Sequence, residues 1–115
     1  MAGDPLVECS FFIPIRRDAK LSDGDLHSAE AWEWLDDELD LRFAGRSRTE
    51  GVYEGFYRDP NTGERVNDLS HRYVVAAPAE MIDELRSLLS AACVIFQQKC
   101  VYLSVAGKVE FVSRA

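Results

Sequence analysis

The chain has 115 residues, 47% of them hydrophobic and 29% charged, a balance that suits one globular domain whose core needs no disulfide or metal staple. Thirteen Lys and Arg against 20 Asp and Glu leave a net charge of −7, which repels phosphate backbones, so no nucleic-acid partner is expected. The cysteines Cys9, Cys93 and Cys100 are odd in number and lack CxxC or CxxH spacing, which argues against a disulfide framework and a zinc site.

These cysteines read as reduced, buried, small apolar side chains. The start, Met1-Ala2-Gly3-Asp4-Pro5, has no basic region and is not followed by the apolar run of a signal segment. No stretch approaches the roughly 20 apolar residues of a membrane span. A cytoplasmic location with no membrane partner is the expectation.

Along the chain, Val7, Cys9, Phe11, Ile13 and Ile15 alternate with Glu8, Ser10, Phe12 and Pro14, the period of a half-buried strand. The polar stretch from Arg16 to Asp25 reads as a loop. Ser28 is placed to cap a helix whose Trp32, Leu35, Leu39 and Phe43 share one face. Ala44-Gly45 is the expected stop, with Gly45 in the left-handed conformation. Residues 51–58 and 64–77 form a predicted hairpin around Asp59-Pro60-Asn61-Thr62-Gly63. A bulge or break is expected at Asn67-Asp68.

Pro78 is then placed to open a second helix, with Met81, Ile82, Leu85, Leu88, Leu89, Ala92, Cys93 and Phe96 as its apolar stripe. Gln97-Gln98-Lys99 ends it. The last strand spans 100–105, and Val109 to Val112 either extends it past Gly107 or forms a short extra strand. This order predicts one ferredoxin-like α+β domain over residues 1–115. Its β-α-β-β-α-β sandwich has a four-stranded antiparallel sheet in the order 4-1-3-2, with both helices on one face.

Such a sheet leaves one face bare. Glu8, Ser10, Phe12, Tyr102 and Ser104 are assigned to it from the first and last strands. The hairpin has large residues on both sides. The preferred phase puts Val52, Glu54, Phe56, Arg72 and Val74 on the bare face and Tyr53, Tyr57, Tyr73 and Val75 under the helices. A one-residue slip inverts the choice.

Few residues carry recognisable chemistry. Glu33, Asp36, Asp37 and Asp40 crowd the first helix, which reads as a solvated acidic face, and no metal or cofactor is expected. His71 is the candidate general base, with Glu54 or Asp68 to orient it, and Arg72 is the candidate anion holder. Regular alternation keeps His71 and Arg72 off the same face. Ser10, Ser70 and Cys9 lack the elbow or triad spacing of a nucleophile. His27 reads as a loop residue, Trp32 as core and Trp34 as the helix margin. There is no GxGxxG, Walker or RNA-reading strand motif.

Phe11-Phe12, the helix from Trp34-Leu35 to Arg42-Phe43, Gly55-Phe56-Tyr57-Arg58-Asp59-Pro60 with Gly63, and Phe96-Gln97-Gln98 resemble small bacterial families of unknown function with a ferredoxin-like fold. That resemblance implies the fold and transfers no catalytic residue. The leftover apolar side chains point to a non-enzymatic interaction domain, a homodimer formed through the bare face or a strand edge. The alternative is an enzyme or small-molecule binder. In it two bare sheets enclose a cavity for a small organic ligand, with Phe12, Phe56 and Tyr102 as walls and Arg72, Glu54 or His71 as the polar group.

Overall fold

The computed structural model describes residues 5–114. The reading of the start as free of a signal segment rests largely on Met1 to Asp4, which lie outside the described residues. Strand β1 spans Leu6–Pro14, and its alternation buries Cys9, Phe11 and Ile13 completely. Helix α1 spans Ala29–Arg42; the Ser28 hydroxyl accepts the Ala31 N–H at 3.3 Å, and Ala31, Leu35 and Leu39 turn inward. Next come β2 (Gly45–Arg48), β3 (Tyr53–Arg58) and the long β4 (Arg65–Pro78). A short 3-10 turn over Ala79–Met81 leads into helix α2 (Ile82–Ile95), followed by β5 (Cys100–Val105) and β6 (Lys108–Ser113).

The six strands form one antiparallel sheet in the order β2-β4-β1-β5-β6, with β3 also paired to β4. Both helices bury their apolar stripes against the face that carries Phe11, Ile13, Tyr73, Val75, Val101 and Leu103. At the centre the rings of Phe11 and Tyr73 stack at 5.1 Å, nearly parallel. The Tyr73 hydroxyl donates to Asp36 Oδ1 on α1 at 3.2 Å, so a buried polar tip keeps its partner. Burial raises the Tyr73 phenol to about 12.

The four-stranded sandwich expected from sequence is therefore corrected to a six-stranded sheet. One extra strand arises because β4, 14 residues long, offers a single edge to two partners in tandem. Its Arg65–Ser70 half pairs with β3, and its Tyr73–Ala76 part pairs with β2. The second extra strand, β6, follows from a two-residue turn at Ala106-Gly107, where both residues have positive φ, 49° and 83°. That is the turn geometry that reverses a twisted strand.

Three local expectations change as well. The ladder runs through Asn67 and Asp68 without a bulge, opposite Phe56 and Gly55. Gly45 is not left-handed; α1 ends through an extended Phe43 straight into β2. Pro78 closes β4 before α2 begins. The acidic face of α1 is also not left to solvent alone. Arg46 of β2 reaches Asp40 at 2.7 Å and Asp36 at 3.5 Å, and Arg42 bridges Glu38 and Glu84. Among the described residues no helix is long and apolar enough to cross a membrane.

Candidate active site

The helix-free face of the sheet is strongly curved. Register places Phe12, Arg72 and Val74 on it, since Phe12 pairs with Arg72 and Ser10 with Val74. Tyr53 pairs with Ser70 and Tyr57 with Val66, so these tyrosines share that face. Glu54 and Phe56 alternate to the other side, where the Arg65 guanidinium lies 4.0 Å from the Phe56 ring centre. The phase preferred from sequence thus holds in β4 and is inverted in β3.

The hairpin loop fixes that phase. Asp59 Oδ1 accepts the N–H of Asn61 at 2.8 Å and that of Thr62 at 3.4 Å. Gly63 takes a positive φ of 73°, and the Asp59 N–H donates to the Glu64 carbonyl. These contacts set Arg58 opposite Arg65, and every pair behind them follows.

Five rings line the curved face in a continuous chain. Tyr53 meets Phe12 at 5.7 Å, Phe12 meets Tyr102 at 5.4 Å, Tyr102 meets Phe111 at 5.9 Å, and Phe111 meets Tyr57 at 5.4 Å. They bound a cavity of about 270 Å³ with a small set of polar groups: Asp68, Ser70, Cys100 and the Tyr57 hydroxyl. The Cys100 Sγ lies 4.0 Å from the Tyr57 oxygen.

Burial dominates the electrostatics. It pushes the Asp68 carboxyl above its ordinary value, helped by the negative charge of Asp18. It raises the Tyr57 phenol well beyond the ordinary range and raises the Cys100 thiol. Among the described residues no cation pairs with Asp68, and ringed aromatic faces attract cations through their quadrupoles. The site suits a flat, partly apolar ligand that carries positive charge.

A second, charged cavity of about 410 Å³ adjoins the first and shares Tyr57 and Asp68 with it. Its walls include Arg16 and Lys20 from the loop after β1, Arg65 and Glu64 from the hairpin, and Lys99. Gln98 holds that loop in place; its Nε2 donates to the Arg16 carbonyl at 2.8 Å and to the Phe96 carbonyl at 2.9 Å.

Of the residues singled out from sequence, Phe12, Phe56, Tyr102 and Glu54 border the aromatic cavity, as does Ser70. His71 and Arg72 do not line it. His71 lies toward the helices, its ring 5.0 Å from Trp32 and its Nδ1 3.1 Å from the Gly51 carbonyl oxygen. Asp68 and His71 are three apart on one strand and take opposite faces, so Asp68 does not orient it. Cys9 is completely buried in the core. Sequence reasoning missed Tyr53, Tyr57, Phe111 and Cys100 as cavity walls. The available signal was the unbroken alternation of Asp68, Ser70, Arg72 and Val74.

The fold and face together define a curved antiparallel sheet, backed by two helices, with an aromatic-lined cavity on its bare side. This chain is similar in fold to a phage SAM lyase in complex with S-methyl-5′-thioadenosine, with a TM-score of 0.68, 15% identity, and 98% of this chain and 93% of that one covered. It is also similar to a phage SAM lyase in its apo state, with a TM-score of 0.60, 14% identity and the same coverage. No protein-family model matches the chain, and no curated protein sequence matches it. The resemblance to uncharacterised bacterial families is thereby corrected: the fold likeness is to phage lyases. The non-enzymatic reading of unknown function gives way with it, because the fold is one that serves an enzyme and its bare face is already shaped into a cavity.

Proposed function

We propose that this chain binds an adenosine thioether or sulfonium in the aromatic cavity and cleaves S-adenosylmethionine, releasing S-methyl-5′-thioadenosine. The observation that carries this reading is the five-ringed cavity with a half-buried carboxylate, on a fold shared over nearly its whole length with a lyase that holds that thioether.

The chemistry matches the groups present. Phe12, Tyr102 and Phe111 offer faces and edges for an adenine ring. The sulfonium is a cation, met by the ring quadrupoles and by Asp68. When the bond from sulfur to the amino-acid arm breaks, its electron pair returns to sulfur and the product is a neutral thioether. No protein acid is needed for that leaving group. A lyase adds no water; the arm's own carboxylate oxygen attacks the carbon attached to sulfur, its electron pair forming the new C–O bond of a lactone as the thioether leaves, with no proton gained or lost. Poorly hydrated walls favour a step that destroys charge, because they solvate the charged reactant less well than water does. The neutral product loses its attraction to Asp68 and to the rings, which aids release.

The cavity forms within one chain, because the sheet curls until β3 meets β6. A second copy set over the bare face would close its mouth, and a homodimer of that kind is part of this proposal. Phe56 and Glu54 stand at the rim where such a copy would meet the first.

The test is incubation of the purified protein with S-adenosylmethionine, with chromatographic detection of S-methyl-5′-thioadenosine, alongside calorimetric titration with that thioether. Product formation at subsaturating S-adenosylmethionine that falls about tenfold or more in Asp68→Asn, through weaker binding of the sulfonium, supports the reading. Neither turnover nor binding at millimolar ligand overturns it.

A further inference from the structure

The charged cavity adjoining the aromatic one is not used by an adenosine group. We infer that it is the subsite for the amino-acid arm of the ligand, a zwitterion bearing one carboxylate and one ammonium; this rests on the adenosine reading of the aromatic cavity. Two features place it there. Tyr57 and Asp68 line both cavities, so a ligand whose sulfur sits beside them has its rings on one side and its arm on the other. The second cavity also carries both signs of charge in mixed order, unlike the cation-rich pocket a phosphate would need.

The cations are available to a carboxylate. Lys20 pairs with Glu64 at 2.7 Å, both side chains exposed, and Lys99 lies 3.6 Å from the buried Asp59. The exposed Lys20–Glu64 pair holds weakly and exchanges partners readily, and the 3.6 Å separation leaves Lys99 room for a second, closer anion. Glu64 and Asp18, on the same walls, would then face the ammonium. Gln98 fixes the loop that carries Arg16, so the wall is set before the ligand arrives.

The arrangement separates two ligands that differ only in the arm. S-methyl-5′-thioadenosine has none, whereas S-adenosylhomocysteine carries it on an uncharged sulfur. Calorimetry should find S-adenosylhomocysteine bound about tenfold more tightly by the wild-type protein, the gain of a charge-assisted contact. Lys99→Gln and Lys20→Gln should each remove much of that gain while leaving the affinity for the armless thioether within about twofold. Unchanged binding of the armless ligand also shows that each variant is folded. Equal affinities for the two ligands in the wild-type protein would overturn the subsite and leave the aromatic cavity standing. So would lysine variants that weaken both ligands alike. Failure of both ligands to bind would overturn the adenosine reading itself, and the subsite with it.

Discussion

Tyr57 of β3 and Phe111 of β6 touch, their ring centres 5.4 Å apart, although β4, β1 and β5 lie between their strands in the sheet. Contact between opposite ends of a sheet requires strong coiling, of the kind that carries open sheets toward barrels. Here β1 ends at Pro14, which leaves the sheet free to curl at that end and close a cavity over Cys100 and Tyr102. The bare face is thus a pocket before any partner arrives.

This contact separates function from stability. Phe111 is 39% exposed, so Phe111→Ala removes a rim ring and leaves the core intact. Denaturant titration should show a loss of about 1–2 kcal/mol, against about 2–5 kcal/mol for Leu85→Ala at a fully buried position. Binding of S-methyl-5′-thioadenosine should fall about tenfold or more in Phe111→Ala. A variant that keeps full affinity would show that the Tyr57–Phe111 closure is dispensable for the site.

Asp68 should behave in the opposite way. Its folded-state pKa is raised, so the folded chain binds the proton more tightly than the unfolded chain does. The stability it contributes is present at low pH and is lost as pH rises from the ordinary carboxyl range through the folded pKa. At neutral pH Asp68→Asn should therefore be neutral or stabilising in urea titration, while binding of the sulfonium substrate weakens about tenfold or more. A variant that is both destabilised and of full affinity would remove Asp68 from the site.

The parts of the fold legible in the sequence are those where one face is buried and the other wet. Cys9 against Ser10, or Leu35 against Glu33, declares its side by polarity, and β1, α1 and α2 follow from such contrasts. The strand β2 gives no such signal: Gly45-Arg46-Ser47-Arg48 is polar throughout, and it is held by the β4 ladder and by ion pairs to Asp36 and Asp40. The phase of β3 was hidden for a related reason. Tyr53, Phe56 and Tyr57 lie beyond the reach of the helices, so aromatic residues occupy both faces and the pattern carries no direction. Curvature is the least legible feature of all, since the Tyr57–Phe111 contact depends on where β1 stops and on no local motif.

His27 gives a pH dependence of known sign. Its Nε2 lies 2.7 Å from the Pro14 carbonyl oxygen, and its buried Nδ1 has no partner among the described residues. The rings of Trp32 and Phe96 meet it edge to face, and Arg17 adds positive charge. Burial foremost lowers its pKa from 6.5. Below that ordinary value the unfolded chain takes up a proton that the folded chain refuses, so stability falls as pH drops toward the folded pKa and is complete above it. Melting temperatures at about pH 7 and about pH 5 should differ less in His27→Gln than in the wild-type protein. Equal differences in the two proteins would exclude His27 as a contributor.

The β5–β6 turn is improvable. Ala106 holds a φ of 49°, a left-handed conformation that costs an alanine about 1 kcal/mol and suits glycine or asparagine. Ala106→Asn should raise the unfolding free energy by about 0.5–1 kcal/mol with no change in ligand affinity. A destabilised Ala106→Asn would mean that the Ala106 methyl group makes a compensating contact.

The cysteines supply a direct probe of occupancy. Cys9 and Cys93 are completely buried, and burial raises both thiols, that of Cys93 to about 12. Cys100 is only partly buried and opens onto the aromatic cavity beside Tyr57. Native protein should therefore label first at Cys100, slowly at neutral pH because its thiol too is raised, and faster as pH climbs. Saturating S-methyl-5′-thioadenosine should slow that labelling by about tenfold or more, since a ligand in the cavity covers the sulfur. Peptide mapping by mass spectrometry assigns the site. Labelling of Cys100 at the same rate with and without the thioether would place the ligand elsewhere, even if calorimetry shows that it binds.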